Sequence, residues 1–78
     1  MAQPIKTPAA GYLVDARGLR CPLPALRLAR AVREGGAGRY RLLADDPAAR
    51  TDIPALCAER GWRLLCAGAE EFRVEVPV

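Results

Sequence analysis

The chain contains no histidine, which removes the commonest general base and the commonest metal ligand together. Any chemistry must therefore rest on cysteine, carboxylates and arginine, with neither a metal nor a soluble cofactor expected. Aromatic residues are scarce, with one Trp, two Tyr and one Phe. They are not interleaved with the basic residues in the way a base-stacking surface requires. There is no Cys-x-x-Cys pair among Cys21, Cys57 and Cys66, so spacing supports neither a thioredoxin-type site nor a zinc site. An odd cysteine count also argues against a disulfide framework and for a reducing, cytoplasmic setting. Residues 1–11 include Pro4, Lys6 and Pro8 but no apolar core of an export signal or membrane anchor, and are expected to form a flexible N-terminal tail. No internal repeat, low-complexity tract or domain boundary is visible.

At 78 residues and 51% hydrophobic composition, the chain has room for one small domain and enough apolar surface to fold. The formal charge of +3 is carried almost wholly by arginine, which suits docking on an acidic protein surface or touching RNA without requiring either. Residues 12–78 read as an alternation of elements. Tyr12-Leu13-Val14-Asp15 is a short strand, and Gly18 supplies the turn after it. From Pro22 to about Glu34, apolar Pro22, Ala25, Leu26, Ala29 and Val32 recur at helical spacing, and Gly35 and Gly36 stop the helix. Tyr40 to Ala44 forms the next strand. A second helix begins between Pro47 and Asp52, with Pro54 tolerable only in a first turn and Gly61 as its stop. Arg63 to Ala67 and the alternating Phe72, Val74 and Val76 form a hairpin. The predicted fold is α/β (α+β): a two-layer βαβαββ sandwich with a mixed four-stranded sheet and both helices on one face.

The run Gly18-Leu19-Arg20-Cys21-Pro22-Leu23-Pro24 mounts a thiol at a helix start. Unpaired backbone N–H groups and the positive end of the helix dipole favour a thiolate there. Pro22 and Pro24 occupy the one helical stretch where a missing N–H costs little, and they stiffen the seat under Cys21. Arg20, and less so Arg17, flank the sulfur and are candidates to stabilise its anion. On this reading Cys21 ionises below the value of about 8.5 for a free cysteine. Cys57 shares the buried stripe of the second helix with Ile53 and Leu56. Cys66 is expected on the same strand face as Leu64, and both thiols are read as core filling. Asp15, Asp45 and Asp46 read as turn and cap residues. Arg27, Arg30 and Arg33 read as a solvated helix face that could also dock a partner.

The segments Asp15-Ala16, Gly18 to Pro24, Ala44-Asp45-Asp46-Pro47-Ala48 and Asp52-Ile53-Pro54 closely resemble the TusA-like, or SirA-like, sulfur-carrier family. The likeness covers nearly the whole folded chain. It implies that Cys21 accepts sulfane sulfur as a persulfide and passes it to a protein partner, as a sulfurtransferase-type carrier rather than a stand-alone enzyme. Implied partners are a cysteine desulfurase or rhodanese-type donor and a downstream acceptor, with neither membrane nor direct nucleic-acid contact expected. Position 23 is Leu, where the tRNA-thiolation member has a carboxylate. Transfer RNA thiolation, molybdenum-cofactor maturation and other sulfur metabolism are all compatible destinations. The alternative class is a non-catalytic RNA- or ribosome-binding or regulatory docking module, which would leave the cysteine motif idle.

Overall fold

The computed structural model describes the backbone of residues 5–7 and all of residues 11–78. Its elements are β1 (Ile5–Thr7), β2 (Gly11–Asp15), α1 (Leu23–Gly35), β3 (Gly38–Leu43), α2 (Ala49–Arg60), β4 (Arg63–Ala67) and β5 (Glu71–Val76). The sheet order is β1-β2-β3-β5-β4. β2 and β3 run parallel, and the other pairs are antiparallel. From β2 onward this is the expected βαβαββ arrangement.

One strand was not foreseen. Ile5–Thr7 pairs antiparallel with Gly11–Leu13, which corrects the expectation of a free eleven-residue tail. The parts of that expectation covering residues 1–4 and 8–10 lie outside the described residues. The physical reason is that β2 would otherwise present a row of unpaired N–H and C=O groups at the sheet edge, and the Ile and Thr of this short run suit a strand.

Alternation sets the faces. On β3, Tyr40 and Leu42 are buried, and on β5, Phe72 and Val74. The register places Tyr40 opposite Val74 and Leu42 opposite Phe72, and puts Arg39 opposite Glu75 on the other face. Leu28 and Ala31 of α1, with Ile53 and Cys57 of α2, close the same core. Each large side chain removed from water here contributes about 1.5–3 kcal/mol. Tyr12 stacks on Tyr40 with ring centroids 4.7 Å apart. Their hydroxyls donate to the carbonyls of Gly35 and Gly36, tying the end of α1 to the sheet.

Two local features depart from the sequence reading. α2 begins at Ala49, so Pro54 lies in its second turn rather than its first. The helix opens with i→i+3 bonds from Ala49, Arg50 and Thr51 before the first i→i+4 bond from Asp52 to Ala48. Pro54 has no N–H to give the Arg50 carbonyl, which is thereby left without its usual helical donor at an exposed residue. The second departure is a bulge in β4. Leu64 pairs with Val74 but Cys66 pairs with Arg73. The extra residue, Leu65, turns Cys66 away from Leu64's face, so Cys66 is exposed rather than core.

Candidate functional site

β2 and β3 are parallel neighbours, so the loops that leave their C-terminal ends lie side by side, and α1 and α2 start from the same edge of the sheet. Gly18, in the first of these loops, has φ +83°, a left-handed conformation that favours glycine. Its N–H donates to Asp45 Oδ1 at 2.9 Å. Asp46, from the second loop, accepts the backbone N–H of Cys21 at Oδ2 (2.5 Å) and that of Ala48 at Oδ1 (3.4 Å). Asp45 and Asp46 thus serve the loops and clamp the Cys21 segment in place, but neither caps α2, whose N-cap is Ala48 with no side-chain cap bond.

Cys21 lies in a tight turn closed by the Leu23 N–H donating to the Arg20 carbonyl at 2.8 Å. The Cys21–Pro22 bond is cis. Pro22 is the N-cap of α1, and the Leu26 N–H donates to its carbonyl. The helix thus starts one residue later than expected, and Cys21 sits just outside it. Pro24 lies in the first turn and is buried. Pro24 is therefore in the first turn as anticipated, whereas Pro22 is the N-cap rather than the first helical residue.

The thiol is exposed, and its S–H donates to Asp52 Oδ2 at 2.6 Å. This contact reverses the expected electrostatics. The hydrogen bond to Asp52 foremost, then desolvation, then the charges of Asp52 and Asp46, hold the thiol above its ordinary value. Arg20 does not offset them, and its side chain makes no ion pair among the described residues. The expectation of a depressed thiol is thus overturned: the carboxylates of α2 and its approach loop outweigh the helix end. Asp52 is the functional candidate that residue-by-residue reading missed. Its signal was available, since an acid in the first turn of α2 must lie near the start of α1 once both helices leave neighbouring parallel strands.

The remaining candidates separate clearly. Arg17 donates from Nε and Nη2 to the two oxygens of Asp15, at 3.0 and 2.9 Å. Those bonds, with the Arg17 backbone N–H, bring the Asp15 carboxyl down to about 2. Arg27 is not simply solvated; it donates to the backbone carbonyl of Asp15 at 3.0 Å. Arg30 pairs with Glu34 one helical turn on. Cys57 is buried, and its desolvation pushes the thiol up, in keeping with core filling. Among the described residues no cluster of Cys, Asp or Glu is arranged to hold a metal ion, and no helix is long and apolar enough to cross a membrane.

Two surface depressions lie on the helix side of the molecule, one of them lined by the thiol. A shallow groove of about 270 Å³ runs from Cys21 and Pro22 along Ala25, Asp52, Ala55, Leu56 and Glu59. A second, of about 490 Å³, lies over Leu19, Leu23 and Leu26, rimmed by Arg27, Arg30, Arg33 and Arg60. Leu23 and Leu26 are 48% and 57% exposed.

The raised thiol has a checkable consequence. In the folded chain, the pH at which alkylation of Cys21 by iodoacetamide reaches half its limiting rate should exceed that of the urea-unfolded chain; an equal or lower midpoint contradicts the Asp52 contact. The linkage carries the same sign. Cys21, Cys57 and Tyr40 all have raised folded values, so the unfolded chain loses these protons first. Stability should then decline as pH rises above about 8.5, seen as a falling urea midpoint.

Comparison with known proteins bears on the family and the fold. Residues 12–77 match the profile of the family described as Sulfurtransferase TusA. A sulfur carrier protein TusA from Pseudomonas savastanoi pv. phaseolicola is 38% identical over 72 residues, covering 91% of this chain and 86% of the relative. Another from Pseudomonas syringae pv. syringae is 39% identical over the same shares. The crystal structure of a SirA-like protein from Desulfitobacterium hafniense superposes with a TM-score of 0.63 at 25% identity, covering 82% of this chain and 92% of that one. With its Cys-Pro-x-Pro turn, its aspartate clamp and a profile match across nearly all of its folded length, the chain belongs to the sulfurtransferase TusA family.

Proposed function

We propose that this chain is a sulfur carrier in which Cys21 receives sulfane sulfur from a protein donor, holds it as a persulfide and delivers it to a protein acceptor. The observation that carries the reading is the exposed Cys21 thiol, fixed through its own backbone N–H by Asp46 and through its S–H by Asp52. The names of the TusA relatives support it. A relay needs one accessible thiol that two partners can reach in turn, and no metal or cofactor of its own. This fits a sulfurtransferase-type carrier better than a stand-alone enzyme.

The donor is a persulfide-bearing protein of the cysteine desulfurase or rhodanese type. Leu23 and Leu26 supply an apolar contact beside the thiol, and Arg30, Arg33 and Arg60 around them suit an acidic rim on the partner. Pro22, Pro24 and Arg20 act in support, the prolines by holding the turn and Arg20 as an exposed charge at its edge. The free thiols suit a reducing, cytoplasmic setting. The nucleic-acid alternative finds no platform: Tyr40 and Phe72 are buried, and Tyr12 and Trp62 half-buried, leaving no freely exposed ring on which bases would stack.

The test is cyanolysis. Chain loaded by a rhodanese-type donor and then freed of it should release about one sulfur per molecule to cyanide as thiocyanate, the chemistry of a labile S–S bond. Thiocyanate no higher than from chain never exposed to donor would remove the carrier reading.

A further inference from the structure

Sulfur loading releases a thiolate from the donor, and that leaving group needs a proton. Among the described residues, the one group placed to handle a proton at the Cys21 sulfur is Asp52, whose Oδ2 lies 2.6 Å from Sγ. The other charged groups around the thiol are placed differently. Asp46 is engaged by the backbone N–H groups of Cys21 and Ala48. Glu59 lines the far part of the groove. Arg20 and Cys21 lie in the same turn, but a guanidinium cannot accept a proton. Asp52 is half-buried on the first turn of α2, a rigid element, and it opens onto the same groove as the thiol.

We propose that Asp52 is a catalytic residue of sulfur loading: it accepts the Cys21 proton as the new S–S bond forms and returns that proton to the donor's departing sulfur. This rests on the carrier reading above. In the step, the Cys21 S–H proton passes to Asp52 Oδ2 and the Sγ electron pair attacks the outer sulfur of a donor persulfide, R–S–SH. The donor S–S bond breaks, and its electron pair leaves on the inner sulfur as R–S⁻. Asp52 then protonates R–S⁻ to R–SH. One S–S bond is lost and one is formed, the outer sulfur keeps its hydrogen, and there is no net oxidation: Cys21–SH and R–S–SH become Cys21–S–SH and R–SH. The same carboxylate that holds the resting thiol neutral thereby supplies the proton path when a persulfide arrives.

Two reactions of the same sulfur separate this role from a purely electrostatic one. Alkylation by iodoacetamide expels iodide, which takes no proton; loading from glutathione persulfide expels a thiolate, which does. Asp52→Asn removes the charge and the proton path while preserving size. At pH about 7, alkylation of Cys21 in D52N should rise several-fold while loading from glutathione persulfide falls at least about tenfold, a modest share of what a positioned acid–base group supplies. Asp52→Glu, which keeps a carboxylate, should retain more loading than D52N, and the faster alkylation of D52N shows that its site is intact. If alkylation and loading both rise in D52N, or if D52E and D52N lose loading equally, Asp52 is only a charge beside the thiol and the proposal is wrong. Absence of loading at Cys21 in the unsubstituted chain would instead overturn the carrier reading, and the Asp52 role with it.

Discussion

Serine in place of Cys21 should reduce sulfur uptake from a persulfide donor to the level of the donor-free control. The hydroxyl keeps the turn, the Asp46 clamp on the backbone N–H and a donor for Asp52, so the fold and the surroundings of the site are preserved. What it lacks is the polarizable sulfur that attacks and leaves in thiol–persulfide exchange. Cys57 cannot substitute because it is 2% exposed. Cys66 is exposed, but it lies opposite Arg73 on the bulged strand β4, whereas the groove that Cys21 lines is walled by residues of α1 and α2. A C21S chain that still took up sulfur from a persulfidated rhodanese at the unsubstituted rate would show that the motif is structural and that another group carries the load.

Truncation of Phe72 to alanine should cost about 3–5 kcal/mol, the range for removing a large aromatic from a packed core. Phe72 is fully buried, opposite Leu42 in the β3–β5 ladder. Folded domains are stabilised by about 5–15 kcal/mol, with small ones near the lower end, so this single change brings the chain close to unfolding at room temperature. Urea titration followed by Trp62 fluorescence measures it. A loss below about 1 kcal/mol would mean that the sheet and helices do not share the single core described above. Arg50→Ala, at an exposed position, serves as the contrast and should shift stability by no more than about 0.5 kcal/mol.

Most of the architecture was legible because it depends on short-range rules. Alternation in Phe72-Arg73-Val74-Glu75-Val76 announced a strand with one wet face, and the stops at Gly36 and Gly61 fell where the helices end. What was not legible depends on one inserted residue or on long-range placement. Alternation put Cys66 with Leu64, and only the Leu65 bulge separates them. Ile5–Thr7 is three residues long, too short for a periodic signal, and it is ordered by the edge it covers. The sign of the Cys21 shift failed for a related reason. Arg20 and the start of α1 are neighbours in sequence, whereas Asp52, the dominant partner, is 31 positions away and acts only once the two parallel strands bring the helix starts together.

Peptide mapping of the sulfur after one round of loading tests the central claim most directly. The unsubstituted chain is incubated with a persulfidated rhodanese or cysteine desulfurase, separated from it, alkylated without reduction, digested and weighed. The account predicts one added sulfur on the peptide containing Cys21, with the peptides of Cys57 and Cys66 unchanged. Sulfur on Cys57 or Cys66 with Cys21 bare would contradict it.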